Sequence, residues 1–307
     1  MLQMKQALID LVQHQAWAIQ EHMLDTINNI LCAHLHGEHI AFEAVAVEPS
    51  NENQDNHVVS IKKKVAIIPI HGVLAKRLNL FSMISGGTST ELLKRDIQNA
   101  VDNPEIDALV LNIDSPGGTV DGTKELADLI FASREKKPIV AYGNGLMASA
   151  AYWIGSAAET ITAFPTTEIG SIGVIATHYD YSEYDKNKGV KRTHIYAGKY
   201  KAMGNDAEPL SEEAKEYLQE IVHKYYTIFV DDTAKHRSVS SQDVLKKMAD
   251  GKIFLAEDAK NLGMIDRIMN FEDTIELAAR MAINKDTGNE DEIISTNSIS
   301  YEEAYSI

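Results

Sequence analysis

The 307-residue sequence has one cysteine, only 7 prolines and no long hydrophobic run. A single cysteine, Cys32, excludes an intrachain disulfide, so packing alone must stabilise the fold. No stretch reaches the roughly 18 uninterrupted apolar residues of a membrane span, and polar side chains interrupt residues 1–27 too often for a signal peptide. We therefore expect a cytoplasmic protein without a membrane anchor.

Positive charge is also scarce, with 29 Lys and Arg against 45 Asp and Glu and a formal net charge of −16. Proteins that bind a phosphate backbone need a basic face, so nucleic acid is not an expected partner. The stretch CAHLHGEH does carry metal-ligand types. Such closely spaced ligands rarely surround zinc as a tetrahedron and no second cluster follows, so a loop is expected there. The side chains concerned are Cys32, His34, His36 and His39.

Composition changes along the chain predict an N-terminal extension, a main domain and a tail. Apolar residues recur at three- and four-residue steps over 4–33, which predicts an amphipathic helix or helix pair. The polar stretch 49–57 reads as a linker. From Asp286 onward there are six acids and no Lys or Arg, which is typical of a disordered or docking tail. We place the helical extension and linker at 1–60, the main domain at 61–280 and the tail at 281–307.

Within the main domain, buried-strand patterns alternate with amphipathic helices. Strands are predicted at 65–74, 107–113, 138–144 and 193–198, and helices at 91–102, 122–136, 148–158 and 211–237. This alternation indicates an α/β fold, in which repeated strand-helix crossover units build a mainly parallel sheet.

Two loops follow predicted strands at the edge where parallel sheets bind ligands. Asp114-Ser115-Pro116-Gly117-Gly118 could turn its backbone amides toward a developing negative charge. The loop 143–150 ends at Ser149, a serine at a helix start among small residues, where a nucleophile would be accessible. Taken alone, each has an ordinary interpretation, since Pro-Gly-Gly is usually a turn and a serine at a helix start is usually a cap.

Four motifs in order carry a more specific signal: LNIDSPGG (111–118), MASAAYWIGSAA (147–158), GSIGV (170–174) and GKYK (198–201). Together they resemble the signal peptide peptidase A family of serine peptidases, whose fold is related to the Clp protease and crotonase superfamily. The resemblance covers roughly residues 63–272. It implies a crotonase-like fold and peptide hydrolysis.

The resemblance implies that Ser149 is the nucleophile and Lys201 its general base. A serine hydroxyl attacks well only when a neighbour takes its proton, and a lysine can do so only when burial keeps its amine neutral. Lys199 would share a strand face with Lys201, so local periodicity does not separate the two, and the family spacing selects Lys201. This mechanism needs no metal and no organic cofactor.

The resemblance also implies an oxyanion hole made by Gly117 or Gly118 together with the amide of Ala150. Ser171, in GSIGV, would orient the lysine. The family often has two glycines after the nucleophile, whereas this chain has Ala150 and Ala151. Each alanine adds only a methyl group, so we expect a tighter pocket with the same geometry.

His178 is an alternative base, with Asp180 as its orienting carboxylate. The related Clp protease uses a Ser-His-Asp triad with its histidine in a broadly similar region. Because a triad is recognised by its geometry and not by spacing, the sequence leaves this alternative open.

The missing anchor and the terminal extensions look most like members encoded by tailed phages. That resemblance implies a prohead protease, a homo-oligomer that cuts extended segments of scaffold, capsid or portal proteins. The alternative within the class is a cytosolic peptidase that degrades signal-peptide remnants or unfolded segments. From other classes, a crotonase-like hydratase or isomerase of acyl thioesters and a non-catalytic assembly protein also stay open.

Overall fold

The computed structural model describes residues 16–24, 26–27, 64–77 and 87–287. The Cys/His-rich stretch with Cys32, His34, His36 and His39, the linker at 49–57 and the end of the acidic tail lie outside these residues. The expectations about them stay predictions, as does the division into domains.

Eleven strands are described: β1 Trp17–Ile19, β2 Val65–His71, β3 Leu74–Ala75, β4 Thr88–Ser89, β5 Ala108–Ser115, β6 Gly117–Thr119, β7 Ile139–Ala148, β8 Thr160–Ala163, β9 Glu168–Gly170, β10 Ile253–Leu255 and β11 Arg267–Ile268. The described helices with defined bounds are α1 Thr90–Asp102, α2 Thr123–Ser133, α3 Ala150–Ser156, α4 Ser182–Asn187, α5 Glu212–His236, α6 Ser241–Lys247, α7 Ala256–Asn261 and α8 Phe271–Thr287. Residues 21–24 and 26–27 are also helical.

The larger sheet has the order β10-β9-β7-β5-β2, with β8 paired to β7 and β11 paired to β8. All of its pairs are parallel except β10 with β9. The long strand β7 changes partner along its length, since residues 140–143 pair with β8 and residues 146–148 pair with β9. The predicted α/β fold with a mainly parallel sheet is confirmed.

Strand β5, which lies between β7 and β2, is buried between helices on one face and α8 on the other. Trp153, on the fully buried helix α3, stacks on Phe229 of α5 with ring centroids 4.4 Å apart. Its indole N–H donates to Asp232 at 2.9 Å. The hydroxyl of Ser211 caps α5 by accepting the N–H of Ala214 at the start of the helix. This packing holds α3, and with it the end of β7, in a fixed position.

The first predicted buried strand lies at the edge of the sheet. Among the described strands, β2 pairs only with β5, and Ile67 is 45% exposed. Pro69 lies within it, which an edge strand tolerates because the missing N–H can face away from the ladder. The prediction of a strand at 65–74 is right in type, but the prediction that it is buried is wrong.

A second, smaller sheet has the order β1-β6-β3-β4. Its strand β1 corrects the prediction of an amphipathic helix or helix pair over 4–33 at residues 17–19, which are extended, with Trp17 and Ala18 buried in the sheet. The three- and four-residue steps of apolar residues also fit a buried strand followed by a helical turn. The pairing of β1 with β6 selects the strand over the helix, and a local sequence pattern cannot reveal a pairing with a distant segment.

Residues 189–201 are exposed throughout and contain neither helix nor strand. The strand predicted at 193–198 is therefore wrong. Its alternation of polar and apolar side chains is present, but among the described residues no neighbouring strand offers it hydrogen bonds.

Candidate active site

Ser149 lies at the sharp turn between β7 and α3. Its backbone has φ 55° and ψ −120°, a conformation that L residues rarely adopt. Its N–H donates to the carbonyl of Gly170 on β9 at 2.7 Å, and its carbonyl accepts the N–H of Trp153 at 2.9 Å. The strand and the helix thus hold both sides of a strained residue, which is a common arrangement at active sites.

The Ser149 hydroxyl is buried and free. The residue is 1% exposed, and its Oγ has no hydrogen-bond partner among the described residues. Buried hydroxyls are normally paired, because leaving one unpaired costs about 1–3 kcal/mol. The side chain also does not cap α3, which removes the ordinary interpretation of a serine at a helix start.

Gly117 lies directly beside the nucleophile candidate. Its φ is +104°, and a β-carbon there would lie 2.9 Å from Cβ of Ser149 and 2.2 Å from the carbonyl oxygen of Ala18. Its N–H donates to the hydroxyl of Ser115 at 3.2 Å, and that hydroxyl donates to the carbonyl of Gly72 at 2.6 Å. Gly118 follows in β6, opposite Ala18. The structure brings Gly117 to Ser149 as predicted, but as part of a strand, not of an open turn.

Ala150 is the first residue of α3 and is fully buried. Amides in the first turn of a helix have no partner within the helix, and they carry the positive end of its dipole. The amide of Ala150, next to Ser149 along the chain, is therefore suited to an oxyanion.

Ser171 lies one residue beyond β9, as Ser149 lies one residue beyond β7. These strand ends are paired, with Ala148 opposite Gly170. Ser171 has φ 52°, and its N–H donates to the carbonyl of Lys252 at 2.7 Å. The two serines therefore emerge from neighbouring strands at one edge of the sheet.

Lys201 lies in an exposed turn. Its amine makes no hydrogen bond or ion pair to another described residue, and the unpartnered Ser149 Oγ shows that the two do not bond here. Lys199, by contrast, pairs with Glu213 at 2.5 Å, and this hydrogen bond raises the pKa of Lys199. A raised pKa keeps an amine protonated, so Lys199 is unsuited to act as a base.

His178, the alternative base, does not form a triad with Ser149. Its Nε2 lies 3.0 Å from the carbonyl oxygen of Asn205. Asp180 accepts the N–H of Ser182 at 2.8 Å, and hydrogen bonds from Ser182 hold the pKa of that carboxyl below its usual range. Both groups are thus engaged elsewhere, in a half-exposed loop.

Two contributors to the site carried no predicted role. The Ser115 hydroxyl accepts the N–H of Gly117. Ser115 lies within the motif LNIDSPGG, and a hydroxyl directly before Pro-Gly-Gly could have indicated this contact. Ala18 reaches Gly117 from the N-terminal strand, and no local pattern indicates a contact across 99 positions.

Among the described ranges, no group of three or more His, Cys, Asp or Glu side chains could hold a metal ion. No helix in the described ranges has the length and apolarity that a bilayer crossing demands.

Comparison with known proteins links this site to a peptidase family. The family model described as Peptidase family S49 matches residues 132–284. The chain is 32% identical over 223 residues to the Putative protease slr0021 of Synechocystis sp., covering 73% of this chain and 76% of that protein. All of the site residues from Ser149 to Lys201 lie within the part that the family model matches.

Two further relatives are longer than the matched region. The Putative protease MJ0651 of Methanocaldococcus jannaschii is 38% identical over 188 residues, 60% of each chain. The Capsid assembly protease C of Escherichia phage lambda is 31% identical over 211 residues, which are 69% of this chain and 48% of that protein. The match therefore spans about half to three fifths of these two relatives.

Proposed function

Because the chain belongs to peptidase family S49, we propose that it is a serine endopeptidase with Ser149 as nucleophile and Lys201 as general base. The observation that carries the proposal is the Ser149 hydroxyl, which is buried, unpartnered and held on a strained turn beside Gly117. A packing serine or a helix cap would use its hydroxyl, and this one does not.

In the proposed reaction, neutral Lys201 takes the proton of Ser149 as Oγ attacks the peptide carbonyl carbon. The amide of Ala150 and one of the glycine amides at 117 and 118 bind the resulting oxyanion. Lys201 then gives its proton to the leaving amine. A water molecule, deprotonated by Lys201, hydrolyses the acyl ester and regenerates the serine.

This reaction requires Lys201 to move to Ser149 and to lose contact with water. A lysine amine is neutral near pH 7 only when it is buried, and Lys201 is exposed here. The segment 189–201, which is exposed and has neither helix nor strand, is the element that would have to move. Its closure over the site would assemble the dyad.

We propose that a second copy of the chain covers this segment. It presents an unusual amount of exposed apolar surface, with Ile195 97%, Tyr196 56% and Val190 50% exposed. Apolar surface of this kind usually marks an interaction site. A homo-oligomer would bury it and would dehydrate the neighbouring Lys201.

The proposed substrates are extended segments of phage head proteins, cut in the cytoplasm of the host or within the assembling head. The similarity to the Capsid assembly protease C of phage lambda supports this choice. The runner-up is a peptidase for signal-peptide remnants, supported by 29% identity to the Putative signal peptide peptidase SppA of Enterococcus faecium.

Four single variants test the dyad by their rates of peptide hydrolysis. We expect Ser149→Ala and Lys201→Ala each to lower kcat by about 10³-fold or more. Lys199→Ala is the matched control and should retain full activity, because that amine is bound to Glu213. His178→Ala should also retain it. Full activity of Lys201→Ala together with loss of activity in His178→Ala would contradict the Ser149–Lys201 dyad and support a triad of Ser149, His178 and Asp180.

Substrate choice is tested by mass spectrometry of cleavage sites. Scaffold, capsid and portal proteins from the same genetic neighbourhood are incubated with wild type and with Ser149→Ala. Cuts that occur only with the wild type support the head-maturation role, and cuts confined to signal-peptide fragments support the runner-up. Turnover of acyl thioesters without peptide cleavage would instead indicate the crotonase class, and inactivity toward both would indicate an assembly protein.

A further inference from the structure

The N-terminal strand β1 lies between two segments that border Ser149. On one side it pairs antiparallel with β6, with Ile19 opposite Gly117, Ala18 opposite Gly118 and Trp17 opposite Thr119. On the other side it meets the segment that follows GSIGV: Trp17 N–H donates to Ile175 O at 2.9 Å, and Ile175 N–H donates to Trp17 O at 2.8 Å. The strand is hydrogen-bonded along both edges.

The same strand passes directly over the nucleophile candidate. The position of a Gly117 β-carbon is 2.2 Å from the Ala18 carbonyl oxygen and 2.9 Å from Cβ of Ser149, so carbonyl and serine are close neighbours. Val120 N–H donates to Ala16 O, and Gln20 N–H donates to Pro116 O. In an antiparallel ladder every second facing pair is hydrogen-bonded, so the Ala18–Gly118 pair, which lies between these two bonds, is also hydrogen-bonded. The Ala18 carbonyl therefore takes the Gly118 amide, a predicted oxyanion donor.

We propose that residues 16–20 occupy the substrate groove of their own chain and compete with peptide substrates. This inference rests on the proposed function. An extended peptide adds to a sheet through its main chain, and the main-chain groups it would need beside Ser149 belong to β6 and Ile175. Strand β1 already uses these groups. The burial of Ser149 Oγ without a partner is what an occupied groove produces.

Side-chain packing stabilises β1 in the groove, mostly through a cluster that is separate from the main core. Trp17 and Ile19 pack in a small cluster with Leu24, Ile27 and Val73, apart from the main hydrophobic core. Of residues 16–20, Ala18 belongs to the main core and Ala16 packs against it, each with a single methyl group. The strand can leave with its own cluster while the main sheet and helices stay in place. Substrate would then enter an open groove.

A reversible disulfide tests the competition in the full-length chain. In a Cys32→Ser background, Trp17→Cys and Ile175→Cys are combined. A hydrogen-bonded antiparallel pair has a Cα separation of about 5.5 Å, which a disulfide can span. We expect the oxidised protein to hydrolyse a fluorogenic peptide at least about tenfold more slowly than the same protein after reduction. Cys32→Ser alone, under both treatments, is the control. Equal rates in the oxidised and reduced forms would overturn the proposal.

A binding measurement decides the matter independently of catalysis. Ala18→Pro removes a ladder N–H and weakens β1. We expect this variant to bind a fluorescein-labelled QAWAIQE peptide at least about tenfold more tightly than wild type by anisotropy, with Thr26→Ala, outside the groove, as the control. Equal affinities would refute the cis occupancy even if the protein proved not to be a peptidase. If Ala18→Pro does not fold, the disulfide result stands by itself, and if no form hydrolyses peptide, only the proposed function fails.

Discussion

Replacing Gly117 by alanine should separate the chemistry of the site from the stability of the fold. A β-carbon at this position would lie 2.2 Å from the Ala18 carbonyl oxygen, 2.9 Å from Cβ of Ser149 and 3.0 Å from the carbonyl oxygen of Ala148. Two of these neighbours are backbone atoms and the third is the nucleophile's own β-carbon. None is the far end of a flexible side chain, so the turn carrying Ser149 must shift.

The expected magnitudes follow from this geometry. The positive φ of +104° should cost an alanine about 1–2 kcal/mol of folding free energy. Displacing the proposed nucleophile and the proposed glycine amides beside it should lower kcat by about 10²-fold or more. Urea unfolding measures the stability, and hydrolysis of a fluorogenic peptide measures kcat.

Gly263→Ala is the matched control. Gly263 also has a positive φ, +80°, but its added methyl group would meet only the flexible end of Met248 at 3.9 Å. We expect a loss of about 1–2 kcal/mol of stability from the positive φ alone, smaller than the loss in Gly117→Ala, and unchanged kcat. If Gly117→Ala kept wild-type kcat, or if both variants lost kcat equally, the assignment of Gly117 to the site would be wrong.

Three further predictions concern the fold and the assembly. Burial lowers the pKa of His236 to about 4, so the unfolded chain binds a proton that the folded chain does not between about pH 6.5 and pH 4. The unfolding free energy should therefore fall by up to about 3 kcal/mol as pH drops through this window, and His236→Phe should remove that dependence in urea titrations at several pH values. Ile195→Asp should dissociate the proposed homo-oligomer in sedimentation experiments and lower peptide hydrolysis, whereas an unchanged assembly would contradict the proposed interface. Asp232→Ala should cost about 1–3 kcal/mol in urea unfolding, because it leaves the buried Trp153 indole N–H without an acceptor and removes one of the two carboxylate partners of Lys124.

The sequence predicts the part of the site that depends on strand ends. Because parallel strands end at the same edge of a sheet, strands ending before Asp114 and near Ser149 had to deliver both loops to one place. The structure brings Gly117 to Ser149 at this edge, and Ser171 follows from the paired end of β9. The meeting of the two loops follows from local hydrophobic patterns and the crossover rule, whereas Ser171 was expected only from the family resemblance.

The remaining parts depend on contacts between distant segments. Residues 17–19 form a strand because β6 and Ile175 offer hydrogen bonds on both sides, and no local pattern contains that information. Residues 193–198 have a strand-like pattern, yet no described neighbour pairs with them, and they stay irregular. Lys201 lies at the end of the same exposed segment and makes no hydrogen bond to the Ser149 hydroxyl, so its role as the base stays a prediction.

Reaction with a fluorophosphonate followed by peptide mass mapping tests the central claim most directly. We predict one phosphonylated residue per chain, Ser149, with hydrolysis lost in proportion to labelling and no labelling in Ser149→Ala. Labelling at Ser171 or elsewhere, or undiminished hydrolysis by Ser149→Ala, would contradict the account.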